Sequence, residues 1–268
     1  MLHSRIFNRI SCVLTTCILL VVTTFSASAT SSSSPSEAQI DAALQERGYP
    51  QILLEHTTLP AKQSLYNQSE LIFASGSIAV YDQQKDIVEE YNVPADGTST
   101  IGQIPTKDLT LSFIVSRMPA ESSYNVEYSY EWLNPPVNRY EDPIAVTWDE
   151  DIFAIEDDSF IKEDFYETIY GKEGTTSSEE RYARASSSGV TWYADLKSGE
   201  MNSLYGYAAF VLNQVSSGSG SSRIYGNYVH SKSTASISLT PIYGGIIINP
   251  PDEEGYDEAG NQTTVKYH

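Results

Sequence analysis

A chain of 268 residues with 35 Asp and Glu against 16 Lys and Arg carries a formal charge of −19. Such a field works against nucleic acid and anionic membrane surfaces as partners. Two cysteines and four histidines leave little material for a disulfide framework, thiol chemistry or a zinc site.

The first residues, MLHSRIFNRI, hold Arg5 and Arg9 and no acid, and the apolar run SCVLTTCILLVVTTF leads into Ala27-Ser28-Ala29. A basic start, a short apolar core and a small-x-small site predict a secretory signal peptide over 1–29, cleaved between Ala29 and Thr30. The run falls short of the ~20 residues that span a bilayer. Both cysteines, Cys12 and Cys17, leave with it, so the mature chain has no thiol. Two of the 16 bases go too, which leaves 14 against 35 acids, a charge of −21. The expectation is a chain released outside the cell, with no membrane insertion after cleavage.

A polar linker, 30–35, opens the mature part. Ser34-Pro35-Ser36-Glu37 reads as a helix start with Ser34 as N-cap and Glu37 at the third position. Ile40, Ala43, Leu44 and Arg47 follow at helical spacing, and Gly48 is placed to end the helix. A second short helix is expected over 59–67, anchored by Leu65 and Tyr66, after a break at Tyr49-Pro50. These make a helical segment, 36–67, at the start of a single domain over 36–268.

From Leu71 the period changes to two. YNVEYSYEW puts Tyr124, Val126, Tyr128, Tyr130 and Trp132 on one face and Asn125, Glu127, Ser129 and Glu131 on the other, which reads as a solvated face. LTLSFIVS turns Leu109, Leu111, Phe113 and Val115 inward, and GVTWYADLK does so with Val190, Trp192, Ala194 and Leu196. LYGYAAFVLNQ is apolar on both faces and reads as a central strand. Strands are predicted over 71–81, 87–93, 109–116, 124–132, 144–148, 160–170, 190–196, 204–214, 223–231 and 235–248, the last broken near Pro241 or Gly244. The breaks between them are turn-rich, and SSGSGSS reads as a hairpin loop. The pattern predicts a mainly β fold, an antiparallel β-sandwich of Ig-like or jelly-roll-like type.

The stretches ERGYPQILLE, PPVNRYEDPIAVTWDEDIF, SSSGVTWYADLK and YDEAGNQTTVKY resemble a family of uncharacterised secreted proteins of Gram-positive, Bacillus-type bacteria. That resemblance spans most of the mature chain; it implies export and a bacterial source, and carries no catalytic residue with it. YDEAGNQTT also resembles one tyrosine–aspartate repeat of bacterial rearrangement-hotspot shells, but a single copy reads better as a turn at Gly260-Asn261 before a strand over 263–267.

Catalytic signatures are thin. There is no G-x-S-x-G elbow and no H-E-x-x-H, and His230 reads as an edge residue at the end of a strand. A glycan hydrolase needs two carboxyls across a cleft, and Glu127 and Glu131 are the pair to name. In WDEDIFAIEDDSF, the acids Asp149, Glu150 and Asp151 and the acids Glu156, Asp157 and Asp158 flank one short apolar piece. Oxygen ligands on adjacent loops suit calcium, although the glycine of a calcium loop is missing and solvated turns are the plainer reading. The acids Asp252, Glu253, Glu254, Asp257 and Glu258 form a similar patch. Tyr205 and Tyr207 share a strand face, while Tyr225 and Tyr228 fall on opposite faces of the next strand; exposed tyrosines stack on sugars or bury at protein interfaces. The sequence therefore points to a non-enzymatic extracellular module that binds a protein or polysaccharide and needs no cofactor. A glycan-active hydrolase and a calcium-stabilised surface module are the alternatives.

Overall fold

The computed structural model describes residues 34–94, 104, 107–119, 121–168, 173–177, 182–196, 200–232, 237–242, 244–249 and 255–268, with the backbone alone of 173–177 and 182–185. The predicted signal peptide and most of the linker lie outside these residues, as do Asp252, Glu253 and Glu254. From Pro35 onward the chain forms one compact unit.

Among the described residues three short helices come first: α1 (Glu37–Glu46), α2 (Gln51–Leu54) and α3 (Leu59–Asn67). The α1 start lies two residues later than Ser34. Ser36 is the N-cap, its amide donating to Gln39 Oε1 at 2.8 Å, which forms the capping box that Glu37 would have made two residues earlier. Gly48 ends the helix at φ 89°, a conformation open to glycine without strain. Arg47 then donates to the carbonyls of Leu65, Tyr66 and Gln68, each at 2.9 Å, and so caps the far end of α3. The helix α2 breaks no sequence rule but is too short to announce itself.

Fifteen strands follow among the described residues. The first group is β1 (Ile72–Asp82), β2 (Ile87–Pro94), β3 (Leu109–Met118), β4 (Ser123–Trp132), β5 (Glu141–Thr147), β6 (Phe153–Ile155), β7 (Ile161–Thr168) and β8 (Glu173–Ser177). Then come β9 (Tyr182–Ser186), β10 (Gly189–Asp195), β11 (Met201–Gln214), β12 (Gly220–Ser231), β13 (Ser238–Ile242), β14 (Gly245–Asn249) and β15 (Tyr256–Tyr267). One sheet runs β2-β1-β3-β4-β11-β7-β8, with β6 also on β11; the second runs β15-β12-β5-β10-β9; β13 and β14 form a separate hairpin. All the pairings are antiparallel. The fold is thus the expected antiparallel β-sandwich with short N-terminal helices.

The inner faces follow the period of two. Leu109, Leu111, Phe113, Val115, Val126, Tyr128, Trp132, Val190, Trp192 and Ala194 meet in one buried cluster between the sheets. Trp132, Trp148 and Trp192 are all fully buried, and each such side chain removed from water contributes roughly 2–3 kcal/mol.

Four local expectations are overturned. The outer face of β4 is not solvated: Asn125, Glu127 and Ser129 are buried, because α1–α3 lie over this sheet through Ile40, Leu44, Leu53 and Leu65 packed on Ile78, Val80 and Ile114. SSGSGSS is not a hairpin loop, since it joins β11 in one sheet to β12 in the other. Gly260 and Asn261 make no turn but lie mid-strand in β15, opposite Asn227 and Gly226; a Cβ at Gly260 would stand 2.9 Å from the Gly226 carbonyl, so close strand approach explains the glycine. His230 is not an edge residue but 3% exposed between the sheets.

Candidate functional site

Two polar ties join the sheets, and both are sealed. Asp142 of β5 accepts from Tyr228 Oη at 2.6 Å and from the Ser231 amide at 2.9 Å, with His230 Nδ1 at 2.9 Å from the same carboxylate. Trp132 Nε1 of the opposite sheet donates to Tyr228 Oη at 2.8 Å. Burial pushes the Asp142 carboxyl up, and the hydrogen bonds from His230, Tyr228 and Ser231 oppose it. In the second tie Asp164 of β7 accepts from Tyr130 Oη at 2.9 Å and pairs with Lys162 at 2.7 Å, while Lys162 also reaches the Tyr193 carbonyl in the facing sheet. Asp142, Tyr228, His230 and Asp164 are all buried. Acid–histidine chemistry needs a reacting atom within reach, and these groups are buried in the core, where Asp164 also accepts from the Asp195 amide at 3.3 Å and His230 packs on the Trp132 ring.

Glu127 is equally closed in. It lies under α3 with 1% exposure, and neither carboxylate oxygen meets a hydrogen-bond partner of good geometry, although Ser64 is close enough to ease the burial. Burial holds its carboxyl well above the ordinary range. Glu131, its neighbour on the strand face, is raised by burial as well, with Glu37 adding to the shift and Lys62 opposing it. The pair named for glycan hydrolysis thus sits beneath helices, with no cleft between the two carboxyls at Glu127.

The acids of the 148–160 stretch lie in two separate turns on either side of β6. Asp149 Oδ1 accepts from the Asp151 amide at 3.0 Å, an Asx turn, and Glu150 accepts from the Ser187 hydroxyl. Glu156, Asp157 and Asp158 are exposed in the second turn, where Asp158 takes φ 63°. Among the described residues, no group of three or more His, Cys, Asp or Glu side chains gathers as a metal shell.

The tyrosines divide in the same way. Tyr228 is core, Tyr207 is 6% exposed against Ala61 of α3, and Tyr205 stacks on Phe165 at 5.3 Å. Tyr225 is half-buried on the outer face of the second sheet. The four form no continuous row.

A different place is open. Where β15 crosses beside β1, the sheets part around a cavity of about 570 Å³. Residues 72–76 of β1 and Asn92, Val93 and Pro94 of β2 line one side. Arg117 of β3, Tyr124 of β4, Arg223 of β12 and Gln262, Thr263, Thr264, Lys266 and His268 at the end of the chain complete it. The register between β1 and β3 shifts between Phe73 and Ser75, so a bulge re-aims the backbone at this wall. Gly76 is required beside it, because a Cβ would stand 2.8 Å from both the Phe113 carbonyl and Leu53 Cδ2.

The electrostatics of this cavity set it apart. Elsewhere among the described residues Lys62, Lys85, Lys107, Lys162 and Lys232 pair with Asp or Glu, and Arg47 and Arg139 donate to backbone carbonyls. Arg117, Arg223 and Lys266 make no such pair among the described residues, and all three line the cavity. No Asp or Glu lines it, in a chain with 35 of them. Ser75 Oγ and Gln262 Oε1 are buried atoms without hydrogen-bond partners at the same place. Tyr124 Oη donates to the Lys266 carbonyl at 3.0 Å and fixes β15 to β4; burial pushes its phenol up and Arg117 opposes the shift. Sequence reasoning missed the site, since its walls come from six strands spread over nearly the whole domain.

No family model matches the chain, and no curated protein matches it. Among solved structures, a pore forming protein is 9% identical, covering 62% of this chain and 92% of its own at a TM-score of 0.31. AvmM, which catalyses macrocyclization in alchivemycin A biosynthesis, is 13% identical with 53% and 79% covered at 0.23. Clostridium perfringens delta-toxin is 7% identical with 60% and 88% covered at 0.22. Similarity at these scores carries no argument about function.

Proposed function

We propose that the protein is an exported, non-enzymatic binding module, and that the cavity between β1, β2 and β15 is its ligand site. The observation that carries this reading is the open cavity of about 570 Å³ with two buried, unpartnered polar atoms, Ser75 Oγ and Gln262 Oε1, on its lining. Volumes of this order suit small molecules or the end of a polymer chain. Buried polar groups are nearly always satisfied, so a pair left free beside open space favours a ligand that satisfies them. The burial of the Asp142, Asp164 and Glu127 carboxyls supports binding over turnover.

Calorimetry against a panel of extracellular glycans and peptides tests the proposal, with Thr264→Trp as the blocking variant, since Thr264 is exposed on the cavity wall. Binding that is lost in the variant, without product formation on labelled glycans, is the expected result. Hydrolysis of those glycans, or binding indifferent to Thr264→Trp, would overturn it.

A further inference from the structure

The chemistry of the ligand can be taken one step further, resting on the reading of this cavity as the ligand site. In a chain with more than two acids for each base, a cation without an acidic partner is the exception. Arg117 comes from β3 of one sheet, and Arg223 and Lys266 come from β12 and β15, which pair with each other in the second sheet with Arg223 opposite Thr264. Each would gain electrostatically by turning to one of the many carboxylates, as the described lysines elsewhere do. The three cations are exposed on the lining, where no Asp or Glu side chain stands, and the carboxylate of Glu90 beside it is engaged by the Gln262 amide at 2.7 Å. The opposite wall is apolar: Ile72, Phe73, Val93 and Pro94 line it. Guanidinium groups present parallel N–H donors that match oxyanions.

We propose that the cavity takes a single oxyanion group, phosphate, sulfate or carboxylate, carried on an uncharged and partly apolar body. The cations hold the anion, the β1 and β2 wall covers the body, and Gln262 Oε1 accepts from a hydroxyl or amide on it.

Titration calorimetry with three probes tests this: inorganic phosphate, hexyl phosphate and the uncharged hexyl glucoside. Hexyl phosphate is expected to bind about tenfold or more tightly than either of the others. Arg117→Gln and Arg223→Gln should each weaken hexyl phosphate by about three- to tenfold, leaving hexyl glucoside unchanged. Added salt should weaken both phosphates and leave hexyl glucoside unchanged. Equal affinity for inorganic and hexyl phosphate would uphold the anion site and overturn the apolar body. Hexyl glucoside binding as tightly as hexyl phosphate, with both lost in Thr264→Trp, would overturn the anion while leaving the cavity as a ligand site. If hexyl phosphate binds equally well to the parent and to Thr264→Trp, or to neither, the cavity itself fails and the ligand class with it.

Discussion

Between the sheets, Asp142 accepts from the Tyr228 hydroxyl and the Ser231 amide and lies within hydrogen-bond distance of His230, whereas at the junction of β1 and β15 three cations have no ion-pair partner and two buried polar atoms no hydrogen-bond partner among the described residues. Both places gather polar groups from strands distant in sequence. The first is closed on itself and holds the two sheets together; the second is open and incomplete. A satisfied buried network contributes to stability and has nothing left over for a ligand. Unsatisfied groups beside solvent-filled space contribute little to the fold and can be used by whatever enters. Side-chain type alone would have favoured the first place, which contains an acid, a histidine and a tyrosine in contact.

The largest effect expected from this contrast lies in the core. Asp142→Ala removes the carboxylate that the Tyr228 hydroxyl, His230 and the Ser231 amide share, and the loss should be about 3–5 kcal/mol. The unfolding midpoint should fall by on the order of 10 °C in thermal denaturation. Next is Gly226→Ala. A Cβ there would stand 2.2 Å from Tyr128 Cε2 across the sandwich. Overpacking of this kind costs about 1–3 kcal/mol, and Tyr128→Leu in the same chain should recover part of it, as read by urea denaturation.

Glu127→Gln should act in the opposite direction and depend on pH. Burial raises the folded-state pKa of Glu127, so its contribution is fully present below the unfolded value of about 4.3 and is lost as pH rises through the raised folded value. The amide removes that loss. The variant should match the parent near pH 4 and exceed it increasingly as the pH rises, with a midpoint a few degrees higher at neutral pH. A midpoint lower than the parent at every pH would show that the carboxylate is satisfied in a way the structure lacks.

The smallest effect on stability belongs to the cavity. Arg117→Gln and Arg223→Gln break no described ion pair and should move the midpoint by no more than about 1 °C. A drop comparable to that of Asp142→Ala would erase the distinction between the two regions.

The sandwich was legible because a half-buried strand prints its two faces directly in the sequence, as YNVEYSYEW does. The same segment misled on its outer face. Glu127 and Ser129 look like solvent contacts, and only the placement of α1–α3 over this sheet makes them interior. Strands β8 and β9 went unread because EGTTS and YARAS lack an alternating apolar face and rest on pairing with β7 and β10. Gly260 looked like a turn residue, yet the close passage of Gly226 accounts for it. The cavity had no local signature at all. Ser75, Arg117, Arg223 and Gln262 become neighbours only when β15, the last strand, crosses beside β1, the first.

The most direct test of the central claim is the position of the ligand. Amide chemical shifts of the isotopically labelled protein, recorded during titration with hexyl phosphate, report that position residue by residue. The account predicts saturable changes centred on Ser75, Gly76, Arg117, Gln262 and Thr264, with the amides of Asp142, His230 and Tyr207 unmoved. Changes centred on the tyrosines of β11 or on the acidic turns flanking β6, with the cavity amides silent, would contradict it.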